Sequence, residues 1–430
     1  MFFDNFLSPF KSLFTDKTLK IDVIFFSLLF ILLPVALITG PAIPDIFLSL
    51  IAIYFLIKSS FNRMWSYYKN PIFLGFILFC LYGVLRSFFY ESPIDSISRE
   101  GSIFYFRYIF FALGIWYLLE NNPYLSKCIL YVSIISILFV CIDGVFQYFN
   151  GVNFFGNEKW SNQRLTGVFG DEPIIGRYIA FLSLFVFVLL YQNFKIKNST
   201  IFFSISFMII CEVVTFLTGE RAPLLYVTLF SILIIIFMPY LRLYRIMGVL
   251  TSIIIIFAII QINPNAKNRM IDVTINQVSE TQLPFLPYSS HHEEHYISAI
   301  RMFADNPLFG IGTNTFSFEC DKPEYKISER SCTTHPHQFF IQVLAELGIF
   351  GFLFIFSFYL YLSWSLLKQF LSIILKKNDQ IISFESFLFH IIIFVYWWPI
   401  IPHMSLYNNW NNVLMMLPLG FYMRAKFGNK

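Results

Sequence analysis

Residues 332–348 read CTTHPHQFFIQVLAELG, a step from a polar interval into an apolar one. Upstream, residues 263–336 form a long, mostly polar interval, and downstream the apolar character persists to about residue 364. Pro336 sits at the junction, where a proline suits the first turn of a helix. His335 and His337 flank it. Ionisable rings at the mouth of an apolar helix are the first candidates for chemistry.

The rest of the chain has the same apolar character. Hydrophobic residues make up 57% of the 430 positions and charged residues 13%, and 56 residues are Phe, which excludes an ordinary soluble domain. Apolar blocks fall at about 21–39, 43–58, 71–88, 102–120, 126–148, 172–192, 199–217, 222–240, 246–262, 338–364, 381–402 and 408–424. Most approach the length of about 18 to 22 residues that spans a bilayer core. The pattern predicts an all-α polytopic membrane protein of about 12 transmembrane helices, with a long, partly helical outer loop. Residues 1–20 are polar and interrupted, which does not read as a cleaved signal peptide. The net charge of +4 follows from topology and leaves no nucleic-acid footprint.

Lys and Arg set the orientation. With both ends in the cytoplasm, every short inner loop is basic, including Lys58, Arg63 and Lys69, Lys195 and Lys197, Arg242 and Arg245, and Lys368, Lys376 and Lys377. The expected organisation is an inner N-terminus (1–20), nine helices (21–262), a large outer loop (263–336), three helices (337–424) and an inner tail (425–430). Within the loop, residues 291–305 read as an amphipathic helix. His291, His295, Ser298 and Arg301 share its polar face, and Tyr296, Ile300, Phe303 and Ala304 its apolar one.

Several outer residues could carry function. Cys320 and Cys332, twelve apart in the loop, are expected to pair in an oxidising compartment, at a gain of about 3 kcal/mol. The alternative is two free thiols. Cys80, Cys128, Cys141 and Cys211 lie in apolar blocks and read as packing residues.

Arg221 follows the hairpin Thr218-Gly219-Glu220 and opens a span. A guanidinium beside the free N–H groups of a helix start suits a phosphate or diphosphate. The alternative is an arginine that snorkels to lipid headgroups. His337, near a helix start that keeps an imidazole neutral, is the candidate general base, and His335 is the lesser candidate. Simple interfacial decoration is the competing account. His291 and His295 are one turn apart, but position 292 is His and no third ligand follows, so no metal is expected. Arg107, His390 and the Trp397-Trp398-Pro399 group are notable inside spans, Arg107 as an intramembrane charge. Gly310-Ile311-Gly312 reads as a turn, and neither a Ser-His-Asp triad nor a phosphate-binding glycine loop stands out.

The motif order resembles the O-antigen ligase and O-antigen polymerase superfamily of bacterial inner membranes. It runs from Arg164-Leu165-Thr166-Gly167 through Gly219-Glu220-Arg221 and 306–316 (NPLFGIGTNTF) to His335-Pro336-His337-Gln338, Gln342 and 346–351 (ELGIFG). The resemblance covers about residues 20–420. It implies a metal-independent, inverting glycosyltransferase of the C-type membrane fold, needing no cofactor. Such an enzyme takes a glycan from undecaprenyl diphosphate on the periplasmic face and passes it to an acceptor hydroxyl. In the ligase branch the acceptor is a lipid A core sugar, and in the polymerase branch another lipid-linked repeat unit. The resemblance assigns the base to His337 and the hairpin cation to Arg221. Where the family tends to carry a further arginine this chain has His292 and His295, with Arg301 further along, and Gln338 stands where Asn is usual. Arg301 or His295, with Arg164 as a third contact, would complete the diphosphate site. A transporter is the rival from another class, disfavoured because no internal repeat appears and polar residues gather at one face.

Overall fold

The computed structural model describes residues 2–90, 102–161, 163–280, 290–375 and 383–428, with side chains placed from residue 7 onward except at 290 and 291. The side chain of His291, and Lys376 and Lys377, lie outside the described residues. Helix α1 (Phe2–Thr15) precedes the first apolar block, which forms α2 (Ile21–Ile31) and α3 (Leu33–Ala36). The two segments are bent by 41°. Pro34, in the first turn of α3, lacks the N–H that would continue the helix.

Long helices follow: α4 (Ala42–Phe61), α5 (Pro71–Ser87), α6 (Arg107–Asn121), α7 (Leu125–Asn150), α8 (Ile175–Asn193) and α9 (Asn198–Leu217). They continue through α10 (Arg221–Phe237) and α11 (Pro239–Ile262). The loop carries α12 (Pro264–Lys267), α13 (Val273–Ser279), α14 (Ser290–Asp305) and α15 (Phe316–Glu319), and the chain ends with α16 (Phe339–Ile374), α17 (Phe384–Tyr396) and α18 (Asn409–Phe427). No strand forms among the described residues.

All twelve apolar blocks hold a helix or the bent pair. Among the described residues, seven helices are long and apolar enough to cross a membrane, or eight with the bent pair counted as one. Pro71–Ser87, Arg221–Phe237 and Phe384–Tyr396 are shorter, and α18 has polar ends. This is a multi-pass membrane protein.

Burial separates the centre from the rim. Every residue of α8 from Ile175 to Tyr191 is buried, as is α18 from Trp410 to Met423. Helices apolar all round belong at the middle of a bundle. The rim helix α11 instead exposes Leu243, Met247, Leu250, Ile254 and Phe257, as a lipid-facing surface does. Arg245 departs from the expected inner loop. α11 begins at Pro239, so Arg245 lies inside the bundle, fully buried and paired with Glu212 of α9 and Ser231 of α10.

Two of the sequence motifs meet in space. α16 breaks at Gly348 (φ 64°, ψ −165°), a conformation that favours glycine. The turn at 306–312 fills the break: Ile311 N donates to Ala345 O, Gly312 N to Glu346 O, and Ile349 N to Pro307 O, each at 2.9 Å. The buried Glu346 carboxylate accepts from Asn314 N at 3.1 Å and Phe316 N at 3.0 Å. A Cβ on Gly310 would collide with the backbone of Glu346, and one on Gly348 with that of Leu308. The turn therefore docks the loop onto the helix that follows His337.

The expected helix forms as α14, and its packing selects which face is buried. His295, Ala299 and Met302 are buried on the side of α14 that packs on α16, whereas Ile300, Arg301 and Ala304 are exposed. Partners decide the buried face here: His295 Nδ1 donates to Ser331 O at 3.1 Å, and Glu294 accepts from Ser328 Oγ at 2.5 Å.

Candidate functional site: a cavity of arginines and histidines

The start of α10 is built around a glycine. Gly219 has φ 74°, and a Cβ there would strike the carbonyl of Gln163 and lie 3.4 Å from the side chains of both Arg164 and Arg269. Only glycine lets these three segments approach so closely. Leu165 N donates to Thr218 O at 3.1 Å, tying the 149–171 loop to the hairpin. That loop is pinned in turn to α7, where Gln147 Oε1 accepts from Thr166 N and Gly167 N.

Arg221 is the first residue of α10. Its guanidinium donates to Gln277 Oε1 at 2.6 Å and to Arg269 O at 3.2 Å, both from the loop. Arg269 Nε donates to Gly219 O at 3.2 Å. Arg164 donates to Pro173 O, and Arg177 of α8 to Asn411 of α18, each at 3.3 Å. Among the described residues, the buried Nε atoms of Arg164 and Arg221 have no hydrogen-bond partner. Mutual repulsion is felt: burial, then Arg221 and Arg164, push Arg269 down to about 10. Glu220 lies beside them, its Oε1 accepting from Gly176 N at 2.6 Å. Burial raises its carboxyl to about 7, against the opposing pull of that N–H, Arg164 and Arg177.

These four arginines and Glu220 line one cavity of about 810 Å³, together with His292, His335, His337 and His403. The rings of His335 and His337 are 4.3 Å apart between centroids, and His337 lies 5.4 Å from both His292 and His295. Burial, then His295 and Arg177, lower His337 to about 4. His335 is held well below its ordinary value, chiefly by burial and His337. Both rings are therefore neutral at neutral pH.

The helix start is displaced from the expected one. α16 opens at Phe339 with Gln338 as its cap, the Gln338 side chain accepting from Ile341 N at 2.8 Å and donating to Pro399 O at 2.8 Å. Pro336 and His337 precede the helix, and His337 takes a left-handed φ of 56°. Its carbonyl accepts from His403 N at 2.8 Å, so the 397–408 connection fixes this strained residue. Desolvation and neighbouring cations, more than a helix dipole, account for the neutral ring.

Arg221, Arg164, His335 and His337 line the cavity, while the buried His295 stands beside His337 and is not among the lining residues. Arg301 does not reach the cavity. It is nine residues beyond His292 on α14, half a helical revolution round, and points outward exposed. Arg107 pairs with Asp45 at 3.0 Å and Asn409 at 2.9 Å, and His390 Nε2 donates within the bundle to Leu362 O at 2.9 Å, so both serve elsewhere. Cys320 and Cys332 form a disulfide, Cα atoms 5.0 Å apart, in the segment that leads to His335. Among the described residues no group of three His, Cys, Asp or Glu could hold a metal ion.

Among the arginines and histidines of the cavity, three escaped the sequence reading: Arg177, Arg269 and His403. Arg177 had a signal, a charge inside an apolar block. Arg269 and His403 carry no motif.

The arrangement can bind a multiply charged anion against the arginines and hold a neutral imidazole beside it. No curated protein matches the chain. Residues 203–356, which include Gly219 to Arg221, Arg269, His335, His337 and the Glu346 to Gly348 break, match the family model described as O-antigen ligase. That match, over about a third of the chain, supports the O-antigen ligase and polymerase superfamily.

Proposed function

We propose that this protein is an O-antigen ligase-type glycosyltransferase, moving a glycan from undecaprenyl diphosphate to an acceptor hydroxyl, a lipid A core sugar, at the periplasmic face of the inner membrane. The observation that carries the reading is the shared cavity of Arg164, Arg177, Arg221, Arg269 and His337. The diphosphate rests against the arginines, whose charge stabilises the pyrophosphate as it leaves. His337 takes the proton of the acceptor hydroxyl. The acceptor oxygen bonds to the anomeric carbon from the side opposite the diphosphate, and the bond from that carbon to the phosphate oxygen breaks, inverting the configuration. The bound anion also offsets the Arg177 field that depresses His337, which strengthens it as a base during turnover.

The lipopolysaccharide ladder tests the reading in cells lacking the chain, complemented with wild type, Arg221→Ala or His337→Ala. Loss of all capped forms, with long glycan chains accumulating on the lipid carrier and no rescue by either variant, supports the ligase. A single repeat unit on the core points to the polymerase branch. An unchanged ladder contradicts both.

A further inference from the structure

A second cavity, of about 300 Å³, lies between α5 and α16, with α17 and α18 behind it. At its upper end the two helices touch: Tyr82 donates to Leu347 O at 2.7 Å, and Phe79 meets Phe354 at 6.3 Å between ring centroids. Lower down, towards the start of α5 at Pro71, it becomes a crevice with Gly75 and Phe76 on one wall and Phe358 and Tyr361 on the other. Tyr361 is about 33 Å along α16 from Phe339, so this end is remote from the arginine cavity.

Tyr361 joins the apolar crevice to a charge. Its hydroxyl accepts from Lys426 Nζ, which lies 4.5 Å from the Tyr361 ring centroid and donates to Tyr422 Oη at 3.2 Å. Lys426 is exposed, and no carboxylate pairs with it among the described residues. The carboxylate near the end of α18, Glu120, is occupied by Tyr67 and by Trp116 Nε1. An ammonium held in place by two tyrosines yet lacking a counter-ion is a ready partner for a phosphate. The apolar walls suit a hydrocarbon chain, and the opposed chemistries meet at Tyr361.

We propose that the α5–α16 crevice and Lys426 form a binding site for an acidic phospholipid, one acyl chain lying between Phe76 and Phe358 and the headgroup phosphate on Lys426. The site is independent of the glycosyl-transfer reading. A zwitterionic lipid fits it less well, because its own ammonium repels Lys426.

The test uses the full chain, delipidated in detergent and titrated with phosphatidylglycerol or phosphatidylcholine bearing the same dioleoyl chains, with bound lipid counted by native mass spectrometry. Wild type retains phosphatidylglycerol over phosphatidylcholine. Lys426→Gln lowers phosphatidylglycerol retention about fivefold, the effect of one lysine near an anionic headgroup. Lys426→Arg restores it. Gly75→Leu lowers it too, by filling the crevice; a Cβ at Gly75 meets nothing within 4 Å, so the added side chain starts into open space. Equal retention of the two lipids by wild type overturns the proposal. So does normal retention by either Lys426→Gln or Gly75→Leu when its melting temperature matches wild type, because the site needs both parts.

Discussion

Arg269 donates through Nε to the carbonyl of Gly219 at 3.2 Å, so an arginine of the long loop is fixed to the hairpin that starts the Arg221 helix. The backbone carbonyl of Arg269 in turn accepts from Arg221. The two cations are held side by side by backbone carbonyls and the neutral Gln277 side chain, with no carboxylate ion-paired to either among the described residues, which leaves their charge available to an anion. Arg269 thus stands where the sequence had suggested Arg301. Arg269→Ala is expected to cut glycosyl transfer about a hundredfold, as loss of a group that stabilises transition-state charge does. Arg301→Ala, an exposed change, is expected to leave it within twofold of wild type. Initial rates with purified protein and lipid-linked donor compare the two.

Gly219 holds that junction open. An alanine there must accept a positive φ and displace the carbonyl of Gln163. Gly151 also has a positive φ, of 84°, yet nothing lies within 4 Å of its would-be Cβ. Gly151→Ala should therefore cost about 1 kcal/mol, the conformational penalty alone. Gly219→Ala should cost clearly more and also weaken donor binding. Thermal unfolding in detergent, read alongside the donor KM, separates the two effects.

The break in α16 makes a similar prediction. Gly348→Ala and Gly310→Ala each drive a Cβ into backbone, with no flexible side chain to yield. Both variants should lose well over 2 kcal/mol, the cost of overpacking added to that of a strained φ. Glu346→Ala, which strands the N–H groups of Asn314 and Phe316, should be milder but still destabilising. Yield of folded protein by gel filtration ranks them.

Two groups give the pH dependence. Glu220, raised to about 7, is neutral below that value and ionised above it. Ionisation places a negative charge among the arginines, so the donor KM should rise as pH passes through 7, and Glu220→Gln should abolish the rise. Because its folded value exceeds the ordinary 4.5, its contribution to stability is present below 4.5 and is lost as pH rises to about 7. His337 runs the other way. With a folded value of about 4 against 6.5, its contribution is present above 6.5 and is lost as pH falls towards 4. On the acid side, kcat/KM should hold level down to about pH 5 and drop only below that. Initial rates across pH 4 to 9 show whether both limbs are present.

Much of this was readable in the chain. Apolar blocks marked the helices because a bilayer imposes a length, and Arg221 and His337, both at block edges, line one cavity. The failures share one cause, which is that partners rather than local pattern made the choice. The buried face of α14 was set by α16 and by Ser331, so His295 is buried while Ile300 lies exposed. Arg245 was drawn into the bundle by Glu212, 33 residues before it. Arg269 belongs to the site because a distant glycine hairpin receives it. The turn at Gly310 looked idle until the break at Gly348 supplied its partner.

The most direct test of the account is glycosyl transfer by purified His337→Ala in a defined assay with lipid-linked donor and acceptor. If His337 is the base, transfer falls by about a hundredfold to ten-thousandfold, while donor binding and melting temperature stay near wild type. Normal product formation by His337→Ala would contradict the proposed role outright.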